Sequence, residues 1–155
     1  MLTLIEYYIY NHVHREGWQL AMFDPKVMLG NCDRVVDTVN KAIVLRDVVI
    51  RNREENYLHF LFVLLHEYGH FVDCLENSDV WTPEYDEQKE VWYQTELRAN
   101  QNALSLLKKF NSPESIISSF IQYSNISLTH NEKCLDYKQF LTFEEVMILR
   151  EKPSV

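Results

Sequence analysis

The apolar residues change rhythm about a third of the way along the chain. Over the first fifty positions they come in short blocks. Leu2 to Tyr10 is rich in Ile, Leu and Tyr, and Trp18 to Phe23 is a brief run closed by Asp24-Pro25, a turn signal. Ala42 to Ile50, Ala-Ile-Val-Leu-Arg-Asp-Val-Val-Ile, is the strongest strand candidate by its β-branched content, and Arg46-Asp47 in its centre marks an edge or a β-bulge. Val27 to Val39 is ambiguous, and Cys32 to Val39 reads equally as short helix or strand. These blocks predict strands and turns.

From Asn52 the spacing is helical. Asn52 and Glu55 form a capping-box pattern, and Tyr57, Leu61, Leu64, Leu65, Tyr68, Val72 and Leu75 recur at helical intervals, so a buried helix is expected from about Arg53 to Leu75. Thr82-Pro83 reads as the start of a second helix running to Phe110, acidic at its beginning and ending in Lys108-Lys109 as the helix dipole prefers. Ser112-Pro113 opens a third, to Tyr123. The polar stretch Ser124 to Asp136 reads as a loop, and Thr142 with Glu145 as the cap of a short last helix to Glu151. The pattern as a whole predicts an α+β fold: a short N-terminal β-sheet packed on a helical core. At 155 residues, with no linker or repeat visible, it reads as one domain, 1–155.

Composition narrows the function classes. The apolar stretch Leu58 to Val72 is broken by His59, His66, Glu67 and His70, too polar and too short for a membrane span, and no secretory signal pattern opens the chain. Cys32, Cys74 and Cys134 are odd in number and widely spaced, which argues against a disulfide scaffold and for a cytoplasmic setting. The net charge is −8, and both halves of the chain are acidic. Without a basic stripe to displace phosphate counterions, nucleic acid is a poor partner, and a protein substrate or protein partner is the better expectation.

The informative string is His66-Glu67-Tyr68-Gly69-His70. Positions four apart on a helix share a face, so His66 and His70 present two imidazoles to one metal ion. Glu67, one residue on, lies beside that ion, where a carboxylate suits the task of taking a proton from an activated water. Two imidazoles and a carboxylate inside an apolar helix are costly unless paired or metal-bound. Gly69 costs roughly 1 kcal/mol against alanine in a helix interior, so a close neighbour such as a strand or a substrate backbone is expected there. Zn²⁺ is the expected ion, although two histidines and a carboxylate also accept Mn²⁺ or Fe²⁺.

A catalytic zinc takes three protein ligands and leaves a place for water. The candidates for the third are Asp73, Glu90, Glu96 and His130. Asp73, three residues after His70, is better placed to support a histidine's far nitrogen than to reach the ion. A simple antiparallel hairpin of helices brings Glu90 opposite the histidines. The small residues Ala99 and Ala103, on the same face as Glu96 and Asn100, favour Glu96 instead, with Asn100 one turn on to steady a ligand. The two glutamates are six apart, and one helix does not aim both at the same ion.

Leu64-Leu65-His66-Glu67-Tyr68-Gly69-His70, with Glu96-Leu97-Arg98-Ala99-Asn100 and Ala103, resembles the zincin metallopeptidases of the gluzincin type, in particular the ImmA/IrrE-like group. That likeness implies a small zincin-like domain in which His66, His70 and Glu96 hold zinc and Glu67 is the general base. It tips the third ligand to Glu96. It also implies an edge strand, matched in outline by residues 42–50, that holds an extended substrate by backbone pairing. Its substrate class is a specific protein, a helix-turn-helix repressor in related members. The likeness spans roughly residues 42–107. Tyr68 stands where the family has a smaller aliphatic, and Asn102 where it has Phe. His130, Tyr123 and Tyr137 are candidates for an oxyanion donor, while His12 and His14 read as surface histidines. The alternative is a protein of the same fold, weak or inactive in catalysis, that acts by binding a partner.

Overall fold

The computed structural model describes residues 2–23, 34–37, 41–78 and 89–137. It opens on a helix, α1 (Leu2–Arg15), where a strand was expected. Ile5, Ile9 and Val13 recur every fourth residue and are buried, while Leu4 and Tyr7 face outward. That period is helical, and it outweighs the β-leaning content of Ile and Tyr. Removing these three side chains from water contributes roughly 1.5–3 kcal/mol each. Gly17 ends the helix with φ +79, a left-handed conformation, and Trp18 N–H returns to the Val13 carbonyl at 3.0 Å. The turn aims the chain into β1 (Gln19–Phe23).

β2 (Arg34–Asp37) and β3 (Ala42–Arg46) complete a three-stranded sheet in the order β1-β3-β2. β1 runs parallel to β3, with Gln19 opposite Ala42, and β2 runs antiparallel, with Arg34 opposite Leu45. So β3 is the central strand, not an edge. Arg46-Asp47 is no bulge either: the strand stops at Arg46, and a short helix, α2 (Asp47–Arg51), follows. Ala42, Ile43 and Leu45 are buried.

The sheet packs on α3 (Tyr57–Glu76), the helix that carries the His-Glu-x-x-His string. Every residue from Phe60 to Phe71 is buried, as befits a helix enclosed on all sides. It begins a turn later than the capping box implied. Asn56 holds the N-cap position without a side-chain cap bond, and its N–H bonds the Asn52 carbonyl at 2.8 Å to close the preceding turn. α4 (Lys89–Lys109) lies along α3, and α5 (Glu114–Tyr137) covers the pair through Phe120 and Tyr123, whose rings pack on Phe62. α4 ends at Asn111, φ 53, with Ser112 N–H on the Leu107 carbonyl. α5 runs straight through Ser124 to Asp136, the stretch read as a loop. It is polar but contains no Gly or Pro, and polarity alone does not break a helix; Ser124 Oγ–H bonds the Phe120 carbonyl at 2.8 Å. No helix among the described residues is long and apolar enough to cross a membrane. The helix start at Thr82-Pro83, the last helix at Thr142, Cys32 and the Cys134 side chain lie outside the described residues; Cys74 is a free thiol.

A buried carboxylate ties α1 to the entrance of α3. Glu6 accepts hydrogen bonds from Arg53 (Nη2 at 2.6 and 2.7 Å), from Tyr57 Oη at 2.8 Å and from the Tyr10 hydroxyl. Burial pushes its pKa up, but Arg53 and the two hydroxyls overcome that and hold it below the ordinary value of 4.5. A carboxyl lowered in this way stabilises the fold above its unfolded pKa and ceases to do so as pH falls through the folded value. Glu6→Gln is expected to cost about 1–3 kcal/mol at neutral pH. Urea titrations from pH 7 to pH 3 should show the gap between wild type and Glu6→Gln closing below about pH 4; a gap constant across that range contradicts the assignment.

Candidate metal centre

Gly69 sets the distance between α3 and α4. A Cβ built on it meets the backbone of Ala99: its carbonyl oxygen at 2.0 Å, its carbonyl carbon at 2.7 Å and its Cα at 2.9 Å. The close neighbour expected at this glycine is therefore a helix backbone, not a strand or a substrate. Ala99 and Ala103 are fully buried in the same seam. The helices are antiparallel: His66 meets Asn100, His70 meets Glu96, and Asp73 meets Arg98. Asn102 Nδ2 donates to the Gly69 carbonyl at 3.0 Å.

That spacing brings three buried side chains to one point. Glu96 places Oε2 2.9 Å from His66 Nε2 and Oε1 3.1 Å from His70 Nε2. The two Nε2 atoms are 3.0 Å apart, with their rings nearly perpendicular. His66, His70 and Glu96 are the one group of three potential metal ligands among the described residues. Glu90 belongs to α4 by its backbone, but its side chain, like those of His130 and Tyr137, lies outside the described part.

The hydrogen positions follow from the partners. Asn100 Oδ1 accepts only, so at 2.8 Å it accepts the N–H of His66 Nδ1. His66 Nε2 then points at the Glu96 carboxylate and at His70 Nε2. Polar atoms converging in a buried site need a proton or a cation among them. Burial drives the Glu96 pKa up, yet the charges of His70 and His66 and their hydrogen bonds hold it well below 4.5, so it is an anion. Two imidazole nitrogens and a carboxylate form a donor set for a divalent ion. Around a tetrahedral zinc the donors stand roughly 3.3 Å apart, so separations of 2.9–3.1 Å need to widen by only a few tenths of an ångström. The residues fit the ion.

Glu67 Oε1 lies 3.9 Å from His66 Nε2, beside the cluster rather than in it. All four polar residues are buried: His66, Glu67, His70 and Glu96 are 3–6% exposed. Tyr123, also buried, packs on Phe62, one turn before His66.

Other expectations are corrected here. Asp73 has partners that the sequence did not name. Arg98 grips it with Nε on Oδ1 at 2.7 Å and Nη2 on Oδ2 at 3.1 Å, and Asn77 bonds it at 2.9 Å. His12 and His14 do not share a face, being two apart on a helix. His14 is exposed, whereas His12 Nδ1 lies 2.8 Å from the Tyr68 hydroxyl, with burial holding the His12 pKa below its ordinary value. That contact is where the unusual Tyr68 goes. The roles of Arg98 and Asn102 were missed. A buried Asp on one helix was the signal for a cation on the next, but no spacing rule names which one.

Comparison with family models, with curated proteins and with solved structures finds no match to this chain.

Two substitutions test this geometry. Gly69→Ala forces backbone against backbone and is expected to cost at least about 1–3 kcal/mol and to weaken zinc binding more than tenfold, because the helices must part. Asn100→Ala leaves the helices in place but frees the His66 tautomer, and a loss of about 10–100-fold in zinc affinity is expected. Both are read by competition against a chromophoric chelator, with circular dichroism to verify the fold.

Proposed function

We propose that this protein is a zinc-dependent endopeptidase that hydrolyses a bond in a specific protein substrate, with His66, His70 and Glu96 as zinc ligands and Glu67 as the general base. The observation that carries the reading is the meeting of two imidazole nitrogens and one carboxylate within 2.9–3.1 Å, with a second carboxylate beside them. The motif likeness to ImmA/IrrE-like gluzincins supports it at His66-Glu67-x-x-His70 and at Glu96-x-x-Ala99-Asn100. From that likeness comes a repressor-type protein as the substrate class, and the cysteine pattern suits a cytoplasmic setting.

A divalent ion held here supplies Lewis acidity, lowering the pKa of water toward neutrality and polarising a carbonyl. The remaining work falls to the chain. Glu67 accepts the proton of the attacking water at its carboxylate and passes it to the amine nitrogen as the peptide bond breaks. Asn100 keeps the His66 tautomer that leaves Nε2 free to ligate. Asp73, turned to Arg98, stays out of the ligand set.

One observation favours a second reading. All four site residues are buried, at 3–6% exposure. A closed metal site of that kind also suits a protein that binds a partner and keeps the ion as a staple.

The experiment that separates the two is Glu67→Gln. In an enzyme, this variant retains one zinc per chain and wild-type melting but loses cleavage of a denatured-protein panel by about 10²–10⁴-fold. Removal of zinc with 1,10-phenanthroline abolishes the wild-type cleavage too. Never-chelated protein without a bound divalent ion, by plasma mass spectrometry, overturns the reading; a Glu67→Gln protein that keeps its full biological effect supports the binding role.

A further inference from the structure

We infer that Arg98 is a positioning residue for the metal centre, acting through Asp73 to keep α4 from rolling on α3. The inference rests on the reading of His66, His70 and Glu96 as metal ligands. Glu96 is the ligand that α4 contributes, so its reach depends on the rotation of that helix about the seam. At about 100° per residue, Glu96 and Asn100 lie on one side of Ala99, while Thr95, Arg98 and Asn102 lie on the other. The first side is held by the histidines: Glu96 meets both, and Asn100 meets His66. Contacts on that side alone are a hinge, because Gly69 against Ala99 fixes the spacing but not the angle.

The second side is held by Asn102 on the Gly69 carbonyl and by Arg98 on Asp73. Of these, Arg98 is built to resist rotation. Its guanidinium makes two bonds to one carboxylate, Nε to Oδ1 and Nη2 to Oδ2, and a planar fork on a planar acceptor fixes an angle as well as a distance. The acceptor is itself immobile: Asp73 is 1% exposed, receives Asn77 Nδ2, and its own carbonyl takes the Asn77 N–H that closes α3. Arg98 Nη2 also donates to Thr95 Oγ1, one residue before Glu96 and fully buried. The fork is thus tied at both ends within three residues of a ligand: His70 on α3 and Glu96 on α4.

The test compares two guanidinium-to-amide substitutions. Arg98→Gln removes the fork beside the metal centre; Arg53→Gln removes the partner of another buried carboxylate, Glu6, far from it in the chain. Both variants are expected to melt at lower temperature. Zinc affinity by chelator competition is expected to fall at least about tenfold in Arg98→Gln and to stay within twofold in Arg53→Gln. Cobalt(II) loaded into each protein should show altered visible bands only for Arg98→Gln, since Glu96 no longer reaches the ion squarely. If Arg98→Gln does not fold, Arg98→Lys carries the same test, keeping the charge without the two-point grip. Zinc affinity and cobalt bands unchanged in the Arg98 variant overturn this inference alone. A wild-type protein that binds neither metal overturns the ligand assignment, and this inference with it.

Discussion

Two helix backbones touch at Gly69 and Ala99, and the polar centre depends on that contact. A glutamate side chain is short. For Glu96 to meet rings on α3 from a neighbouring helix, the backbones must come closer than ordinary side chains permit, and a hydrogen at residue 69 is what permits it. Glycine in a helix interior costs about 1 kcal/mol. Here the cost is offset by burial of Ala99 and Ala103 in the seam and by the Asn102 bond to the Gly69 carbonyl. The glycine inside the motif is thus a structural requirement for the place of Glu96, twenty-seven residues away in the chain.

Three buried carboxylates show how differently the same problem is solved. Glu6 has Arg53 and two tyrosine hydroxyls, and Asp73 has Arg98 and Asn77. Both partners are guanidinium groups that stay charged at any ordinary pH. Glu96 faces two imidazoles instead, rings that are cationic only when protonated. The first two sites are complete within the protein. The third is complete with a proton or a metal ion, and Asn100, by accepting the N–H of His66 Nδ1, leaves Nε2 facing the centre. Permanent pairs brace the fold, and the titratable pair is kept for the centre.

How much of this was legible in the residues follows from the range of each interaction. His66 and His70 were legible because four-residue spacing is a local property of a helix, and the apolar run around them made the helix plain. Glu96 was narrower: the alanines beside it spoke for close approach, but a hairpin count spoke for Glu90, and likeness to a family decided it. The sheet was found and its order was not, since nothing in Ala42 to Ile50 says that strands lie on both sides of it. α1 was misread because β-leaning residue types were weighed above the four-residue recurrence of Ile5, Ile9 and Val13. The Asp73–Arg98 grip joins residues twenty-five apart, and its existence depends on how two helices are rotated, which local pattern does not encode.

Glu67 bears most directly on whether the centre is chemistry or a staple. A closed structural ion asks for ligands and nothing more. Yet a carboxylate stands 3.9 Å from His66 Nε2, and it is 3% exposed. Bringing a carboxylate into such surroundings costs several kcal/mol unless nearby charge offsets it. A leucine at 67 would suit a staple and add to the core. The base proposed at this position has no such substitute. The same burial that suits a closed site is thus also compatible with the base role proposed for Glu67.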